Sequence, residues 1–144
     1  MKQTEYSEQC ALFEWANLQT NVYPELAYLY ASANGGKRDA VTGAQLKAAG
    51  VKAGYPDIGL DVARGGYHGL RIELKTITGR LRANQREWLD WLTSQGYLAV
   101  ACHGMEEAQD TIEDYLRGLL VREKMTCLDS TSRTTKRKQH AGAK

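Results

Sequence analysis

The sequence predicts an α/β domain in which a mixed sheet is flanked by helices, with the element order α-β-(α)-β-β-α-β-α. Apolar residues recur at helical spacing in several segments, and short apolar runs bounded by glycine or proline lie between them. The Gly65-Gly66 pair separates two such runs, which favours a hairpin. A helix and a further strand follow the hairpin, so a parallel pair of strands joined by a crossover is expected beside it.

The N-terminal half supplies two helices and a strand. Residues 4–19 place apolar side chains among acids and glutamines in a pattern that fits a helix better than a strand. Residues 26–33 form an apolar run after Pro24, which predicts a short strand. Residues 40–49 predict a short helix.

The C-terminal half begins with the hairpin, whose strands are predicted near residues 57–63 and 69–77. Residues 82–94 then form a strongly amphipathic pattern that a glycine ends, which predicts a helix. Residues 97–102 are continuously apolar and predict a buried strand. Residues 105–116 predict the last helix.

Two tryptophans, Trp88 and Trp91, lie on the predicted helix 82–94. Tryptophan buries a large apolar surface, and stacking on a nucleic-acid base would require the ring to be exposed. Both tryptophans are therefore expected to pack in the core.

Length and composition limit the class of protein. A chain of 144 residues, 42% hydrophobic and 25% charged, can build one domain with a substantial core. It contains no apolar run of about 18 residues and no secretory signal pattern, so a cytoplasmic protein without membrane contact is expected. Its three cysteines are widely spaced and fit neither a zinc motif nor a disulfide framework, so they are expected to be reduced, with Cys102 buried.

The charge is distributed unevenly along the chain. Residues 122–144 hold seven Lys or Arg against two acids, a net charge of +5, whereas residues 1–121 hold twelve against fifteen, a net charge of −3. The basic stretch is nearly free of apolar residues, which predicts a disordered tail after a folded domain over 1–121. Such a tail is either a solvated end or a sequence-independent contact to phosphates.

The hairpin carries the most informative charges. If it folds about Gly65, Asp57 lies opposite Glu73, and Lys75 points to the same face because side chains alternate along a strand. Glu-X-Lys alone is common on exposed strands, and Pro-Asp alone often marks a turn. The distance between Asp57 and Glu73 along the chain is one that a hairpin can close, so the two short motifs are geometrically consistent with one site. Two facing carboxylates repel unless a cation compensates, and Mg²⁺ favours oxygen ligands of this kind. A lysine beside a metal-bound water suits phosphodiester hydrolysis.

These residues belong to a longer pattern. Gly54-Tyr-Pro-Asp-Ile58, Arg71-Ile-Glu-Leu-Lys75, Gly79 and Gln85 resemble the VRR-NUC family, a branch of the PD-(D/E)XK nucleases, over most of residues 5–117. The stand-alone domain of this family occurs in phages and bacteria. The resemblance implies a restriction-endonuclease-like core and a Mg²⁺ or Mn²⁺ cofactor, with no organic cofactor. It also implies an active site with metal ligands at Asp57, Glu73 and the carbonyl of Leu74, and with catalytic or supporting roles for Lys75, Gln85 and Glu8. Glu5 and Glu14 are further candidates for the acidic position on the first helix.

DNA contacts are expected around that centre. Lys52, Arg80 and Arg82 are placed to meet a phosphate backbone, which positions DNA without specifying its sequence. Tyr55 either packs over the Pro56 turn or stacks on a nucleotide.

The expected activity is a metal-dependent DNA endonuclease, selective for four-way-junction-like structures in replication, repair or recombination, in a bacterial or phage-infected cell. Symmetric cleavage of a junction needs two active sites, so a homodimer is expected. A nuclease of flaps or duplex ends and a non-catalytic DNA-binding module are the alternatives.

Overall fold

A computed structural model describes residues 4–32 and 39–123 of the chain, which build a four-stranded mixed sheet with helices on both faces. This confirms the predicted fold class. The helices are α1 (Glu5–Leu18), α2 (Ala40–Ala48), α3 (Ala83–Ser94) and α4 (Met105–Leu116), and the strands are β1 (Tyr30–Ala31), β2 (Ile58–Leu60), β3 (Leu70–Lys75) and β4 (Leu98–His103).

The strands lie in the order β1-β2-β3-β4. The pairs β1–β2 and β2–β3 are antiparallel, whereas β3 and β4 are parallel and joined through α3, as the sequence predicts. Helices α1 and α4 pack on each other and on one face of β3. The core lies between them and the sheet, where Leu12, Ile72, Ile112 and Tyr115 have no exposed surface. The Tyr115 hydroxyl donates to the carbonyl of Val62 at 2.6 Å, so its burial leaves no polar group unpaired.

The strand predicted over residues 26–33 is wrong for most of its length. Residues Pro24–Tyr28 form a 3-10 helix, and only Tyr30–Ala31 pair with β2, while Ala33 lies outside the described residues. Proline at the first helical position has a preset φ and needs no N–H partner. Leu26 and Leu29, three residues apart, are both buried, which is the spacing of a helical turn. In so short a segment this apolar run cannot be distinguished from a strand by its sequence pattern.

The expectation that both tryptophans of α3 pack in the core is wrong for Trp91. Leu89 and Leu92 are the buried residues of this helix, and Trp91 keeps 55% of its surface exposed. Successive helical residues are turned by about 100°, so a residue directly before Leu92 lies on the flank of the packed face. Trp88 is half-buried.

The hairpin turn sets the geometry of the site. Gly65 and Gly66 have φ of +59° and +87°, the conformation of a two-residue hairpin turn, and Arg64 bridges to Tyr67 across it. An uninterrupted ladder from that bridge would place Asp57 opposite Leu74. Three residues separate Leu60 from Arg64, but two separate Tyr67 from Leu70, so the first strand carries one extra residue. This extra residue gives the Ile58–Ile72 register and brings Asp57 opposite Glu73, as predicted.

The segment after α4 packs against the same turn. The N–H of Arg122 donates to the carbonyl of Gly65 at 2.8 Å, so described contacts of the folded part reach one residue beyond the predicted boundary at 121. Residues 124–144, most of the predicted basic tail, lie outside the described residues.

The described residues bear on two further expectations, the burial of Cys102 and the lack of a membrane-spanning segment. Cys102 is buried, as predicted, and burial raises the pKa of its thiol to about 11. Over residues 4–32 and 39–123, no helix has the length and apolar character that crossing a membrane requires.

Replacing Gly65 tests the role of the turn. A Cβ at this position would collide with the carbonyl oxygen of Leu120, and the positive φ disfavours any L side chain. We expect Gly65→Ala to lower the free energy of unfolding, measured by urea titration, by at least about 1–3 kcal/mol. Gly43→Ala is the matched control, because a Cβ at Gly43 in α2 meets nothing within 4 Å and should gain about 0.5–1 kcal/mol. Equal stability of the two variants would contradict this account of the turn.

Candidate active site

Strand β3 presents three charged residues on the face opposite the core. Arg71, Glu73 and Lys75 alternate with apolar residues, and they retain only 7%, 2% and 4% of their surface exposed. Charges buried to this extent are costly unless they are paired or bind a ligand. The partners of these three side chains therefore define what the site can do.

Asp57 lies one residue before β2 and is fixed through both its backbone and its side chain. Its carbonyl accepts from the N–H of Ser32 at 2.7 Å, and its Oδ2 accepts from the N–H of Leu74 at 2.8 Å. These bonds hold the carboxylate against the edge of β3, beside Glu73.

Gln85, at the start of α3, joins that helix to Glu73. Its Oε1 accepts from the N–H of Arg82 at 2.8 Å, which caps the helix. Its Nε2 donates to Glu73 Oε1 at 2.7 Å. Because the cap occupies the amide oxygen, the amide nitrogen is the group presented to Glu73. The structure therefore brings Gln85 to the predicted pair of carboxylates.

Lys75 joins the same cluster. Its Nζ lies 3.6 Å from Glu73 Oε1 and 3.5 Å from Glu5 Oε1, at the start of α1. Lys75 thus contacts two carboxylates, and its charge also acts on Asp57. Three carboxyl groups against one ammonium leave a deficit of positive charge, which favours a cation.

Glu8, the residue of α1 that the sequence analysis favoured, is buried with its Oε2 accepting from the N–H of Met105 at 2.6 Å. This contact caps the start of α4 and ties α1 to it. Glu5, which the sequence analysis kept as a further candidate, is the acid of α1 that contacts Lys75. Glu14, the third candidate, is exposed.

The electrostatics of the two facing carboxylates are unusual. Burial, and then the neighbouring charge of Asp57, raise the pKa of Glu73 to about 8. Burial also raises the pKa of Asp57, although the N–H of Leu74 opposes that shift. Two facing carboxyls of this kind titrate as a pair, and without a cation the pair shares a proton at neutral pH.

A cavity of about 540 Å³ opens beside these groups. Its lining includes Glu5, Asp57, Leu74 and Ser32. Among the buried side-chain nitrogen and oxygen atoms of residues 4–32 and 39–123, Ser32 Oγ is the one without a hydrogen-bond partner. A buried hydroxyl of this kind needs a partner, and a cation-bound water in the cavity would provide one.

The donor set fits Mg²⁺ or Mn²⁺ better than a metal that needs a full cage of side chains. In the described part of the chain, no three His, Cys, Asp or Glu residues group closely enough to hold an ion by themselves. Two carboxylates and a carbonyl suffice for Mg²⁺, which keeps several waters. The carbonyls of Gly69 and Lys75 face β4, so alternation turns the carbonyl of Leu74 toward Asp57. Asp57, Glu73 and Leu74 therefore suit such an ion.

The predicted DNA-contacting residues lie around the site, but they are not gathered in it. Lys52, Arg80 and Arg82 are exposed. Tyr55 packs edge-on against Trp88 with ring centroids 5.1 Å apart. Its hydroxyl accepts from Arg71 Nε at 3.0 Å.

Arg71 is a positioning residue that the sequence analysis did not assign. Its guanidinium pairs with Asp61 at 2.8 Å and lies over the Tyr97 ring, 4.8 Å from the centroid. Through Tyr55 it holds the loop that ends at Asp57. The alternation of β3 carried the signal, because Arg71 shares a face with Glu73 and Lys75. Ser32 carried no such signal, since its place in the cavity depends on the pairing of β1 with β2.

The mixed sheet and its flanking helices define a restriction-endonuclease-like fold, in which Asp57, Glu73, Lys75 and Gln85 come together. The model of the VRR-NUC domain family matches residues 3–106, and the chain belongs to this family. A solved structure of a VRR_NUC domain protein is 33% identical, with a TM-score of 0.72 over 82% of this chain and 92% of its own. No curated protein sequence matches the chain. Family membership establishes a nuclease-type, DNA-processing function.

The raised pKa of Glu73 predicts a pH-dependent stability of the metal-free protein. In the folded state Glu73 has a pKa of about 8, whereas the unfolded chain releases this proton near the ordinary glutamate pKa of 4.5. The contribution of Glu73 to stability is therefore fully present below the unfolded-state pKa of 4.5. It falls by at most about 1.4 kcal/mol per pH unit above that, and it is lost once the pH has passed the folded-state pKa of about 8.

Unfolding in urea with EDTA at pH 5 and pH 8 measures this difference. Glu73→Gln should remove it, while Glu14→Gln, at an exposed position of α1, should keep it. A pH dependence unchanged by Glu73→Gln would contradict the assignment.

Proposed function

We propose that this nuclease is a metal-dependent DNA endonuclease that hydrolyses phosphodiester bonds and selects DNA by structure, with four-way-junction-like substrates in replication, repair or recombination. The observation that carries the proposal is the convergence of Asp57, Glu73 and Lys75 at the sheet edge, with Gln85 bound to Glu73. A cluster built only for stability would not confine two facing carboxylates, because pairs of this kind destabilise a fold unless they are compensated.

In this proposal Asp57, Glu73 and the Leu74 carbonyl hold Mg²⁺ or Mn²⁺. When bound, the ion polarises the phosphoryl oxygen and lowers the pKa of a coordinated water. The hydrogen bonds from Leu74 N–H and Gln85 hold Asp57 Oδ2 and Glu73 Oε1, which leaves the second oxygen of each carboxylate for the ion.

Lys75 has the position and charge to act on the reacting phosphate. Its ammonium is buried and lies within 4 Å of two carboxylates, which hold it at the site. A fixed positive charge stabilises the negative charge that develops on the phosphate oxygens during attack. Glu5 holds the ammonium from the α1 side, and Gln85 keeps Glu73 oriented.

Substrate selection belongs to the outer surface. Lys52, Arg80 and Arg82 are exposed and are proposed to contact the phosphate backbone. The His103 ring meets the carbonyl of Gly79 at 3.1 Å, which fixes the loop that carries Arg80. Cleavage of flaps or duplex ends uses the same chemistry and is the second candidate; a non-catalytic DNA-binding module is disfavoured by the complete catalytic set.

Removing any one of the three central side chains tests the chemistry. Asp57→Ala, Glu73→Ala and Lys75→Ala should each lower the rate of DNA cleavage by about 100-fold or more, as should EDTA. Glu14→Ala, at an exposed carboxylate of α1, serves as the matched control. Labelled linear duplex, flap, splayed-arm and four-way-junction DNAs with Mg²⁺ or Mn²⁺ provide the assay. Near-normal cleavage by a folded variant would overturn the assignment, and equal cleavage of all four DNAs would overturn structure selectivity.

The basic segment 122–144 is proposed to contact DNA phosphates after the folded domain. It carries seven Lys or Arg against two acids. Deletion after Glu123, which keeps the Arg122 contact to Gly65, should weaken binding and flatten the dependence of log K on log salt, because fewer counterions are released. An unchanged salt slope in fluorescence anisotropy titrations would show that the segment does not bind phosphates.

A homodimer is proposed because two symmetric cuts in a junction need two active sites. Sedimentation velocity at micromolar concentration should therefore give a mass near twice 16.0 kDa. A monomer both alone and on junction DNA would contradict this proposal.

A further inference from the structure

A groove beside the active site is walled by the tryptophans of α3. It has a volume of about 350 Å³ and is lined by Ala53, Asn84, Glu87, Trp88 and Trp91. Small-ligand sites of roughly 300–1,000 Å³ have this size, whereas a protein interface needs about 800 Å² from each partner. The groove therefore fits a ligand the size of one flat ring system better than a protein surface.

The first wall of the groove is rigid. The Trp88 indole N–H donates to the carbonyl of Ala53 at 3.2 Å, and its ring meets Tyr55 edge-on. Gly54 lets this loop approach α3, since a Cβ there would lie 2.8 Å from Asn84 Cγ. Trp88 is thus held at its polar edge and from behind.

The second wall is open. Trp91 meets Trp88 edge-on, with centroids 5.9 Å apart and an interplanar angle of 87°, and it is 55% exposed. An exposed, oriented indole is the feature that a stacking role requires, and base–aromatic stacking tolerates any sequence.

Two residues, Gln85 and Tyr55, link the wall of the groove to the catalytic cluster. Gln85, which binds Glu73, precedes Trp88 by three residues, so these side chains are neighbours on the surface of α3 at about 4.5 Å along its axis. Tyr55, which contacts Trp88, precedes Asp57 by two residues. A nucleotide in the groove would therefore belong to the strand whose phosphate lies at the active site.

We propose that this groove binds one unpaired nucleobase of the DNA substrate, stacked on Trp91, and this inference rests on the proposed nuclease function. The rim suits a base better than a phosphate. Glu87 is an acceptor with a negative charge, and the Asn84 amide both donates and accepts, so the two can pair with the edge of a base that has left its partner. A paired base cannot enter, so the groove favours branched DNA in which a base next to the cleaved bond is unpaired, at a branch point or in a single-stranded arm.

Binding measurements on the full chain test the proposal. The variant Lys75→Ala, which prevents cleavage, serves as the background with Mg²⁺ present. Fluorescence anisotropy compares a linear duplex with the same duplex carrying a splayed single-stranded arm. Adding Trp91→Ala should weaken binding of the splayed DNA by about 5- to 150-fold, with a smaller loss on the duplex. Tyr28→Ala, at an aromatic residue that is 75% exposed and outside the groove, is the matched control, and Trp91→Phe should restore most of the affinity.

The position of the base follows from abasic sites placed along the arm. One abasic position should lower the affinity of the background protein and have little further effect in Trp91→Ala. A flat abasic profile, or equal losses by Trp91→Ala on both DNAs, would overturn the proposal. A dimer that Trp91→Ala dissociates in the absence of DNA would also overturn it and would assign the groove to a second copy of the chain.

Failure of the inference and failure of the proposed function give different results. Cleavage that depends on Lys75, without any arm-dependent effect of Trp91→Ala, rejects the base site and keeps the nuclease. Arm-dependent binding through Trp91, without cleavage of any DNA, keeps the base site and rejects the endonuclease.

Discussion

The structure depends on the enforced proximity of two carboxylates, the buried Glu73 and the half-buried Asp57. Asp57 and Glu73 lie opposite each other across the hairpin, and burial with the neighbouring charge raises the pKa of Glu73 to about 8. Hydrogen bonds from Leu74 and Gln85 hold the pair in an arrangement that it would otherwise leave. The closeness of the two carboxylates raises the electrostatic free energy of the folded protein, and a bound divalent cation would lower it. The fold thus holds the ligands of the proposed ion site in place before an ion binds.

Helix α3 links this cluster to the surface where DNA is expected. Gln85 at its start serves both as the helix cap and as a donor to Glu73, so the position of the helix and the orientation of the carboxylate are coupled. Trp88 and Trp91 follow on the same helix. A change that shifts α3 would therefore act on the proposed catalytic centre and on the proposed base site together.

Most of the fold and the centre of the site could be predicted from the sequence. The period-2 alternation of β3 identified Glu73 and Lys75, and the facing Asp57 followed from a fold about Gly65. That register holds because an extra residue between Leu60 and Arg64 offsets the two-residue turn, which no local pattern announced.

The rest depended on tertiary contacts. The apolar run after Pro24 suits a strand or a helical turn equally well, and burial of Leu26 and Leu29 decided it. The exposure of Trp91 depends on how α3 is rotated on the sheet. Which acid of α1 contacts Lys75 depends on how the first turn of that helix is placed against β3.

One measurement tests the central claim that Asp57 and Glu73 form a cation site: calorimetric titration of Mn²⁺ at pH 7 in buffers of different ionisation enthalpy. Binding should release on the order of one proton, from Glu73, and the release should vanish in Glu73→Gln. Binding without proton release, or release unchanged by Glu73→Gln, would contradict it.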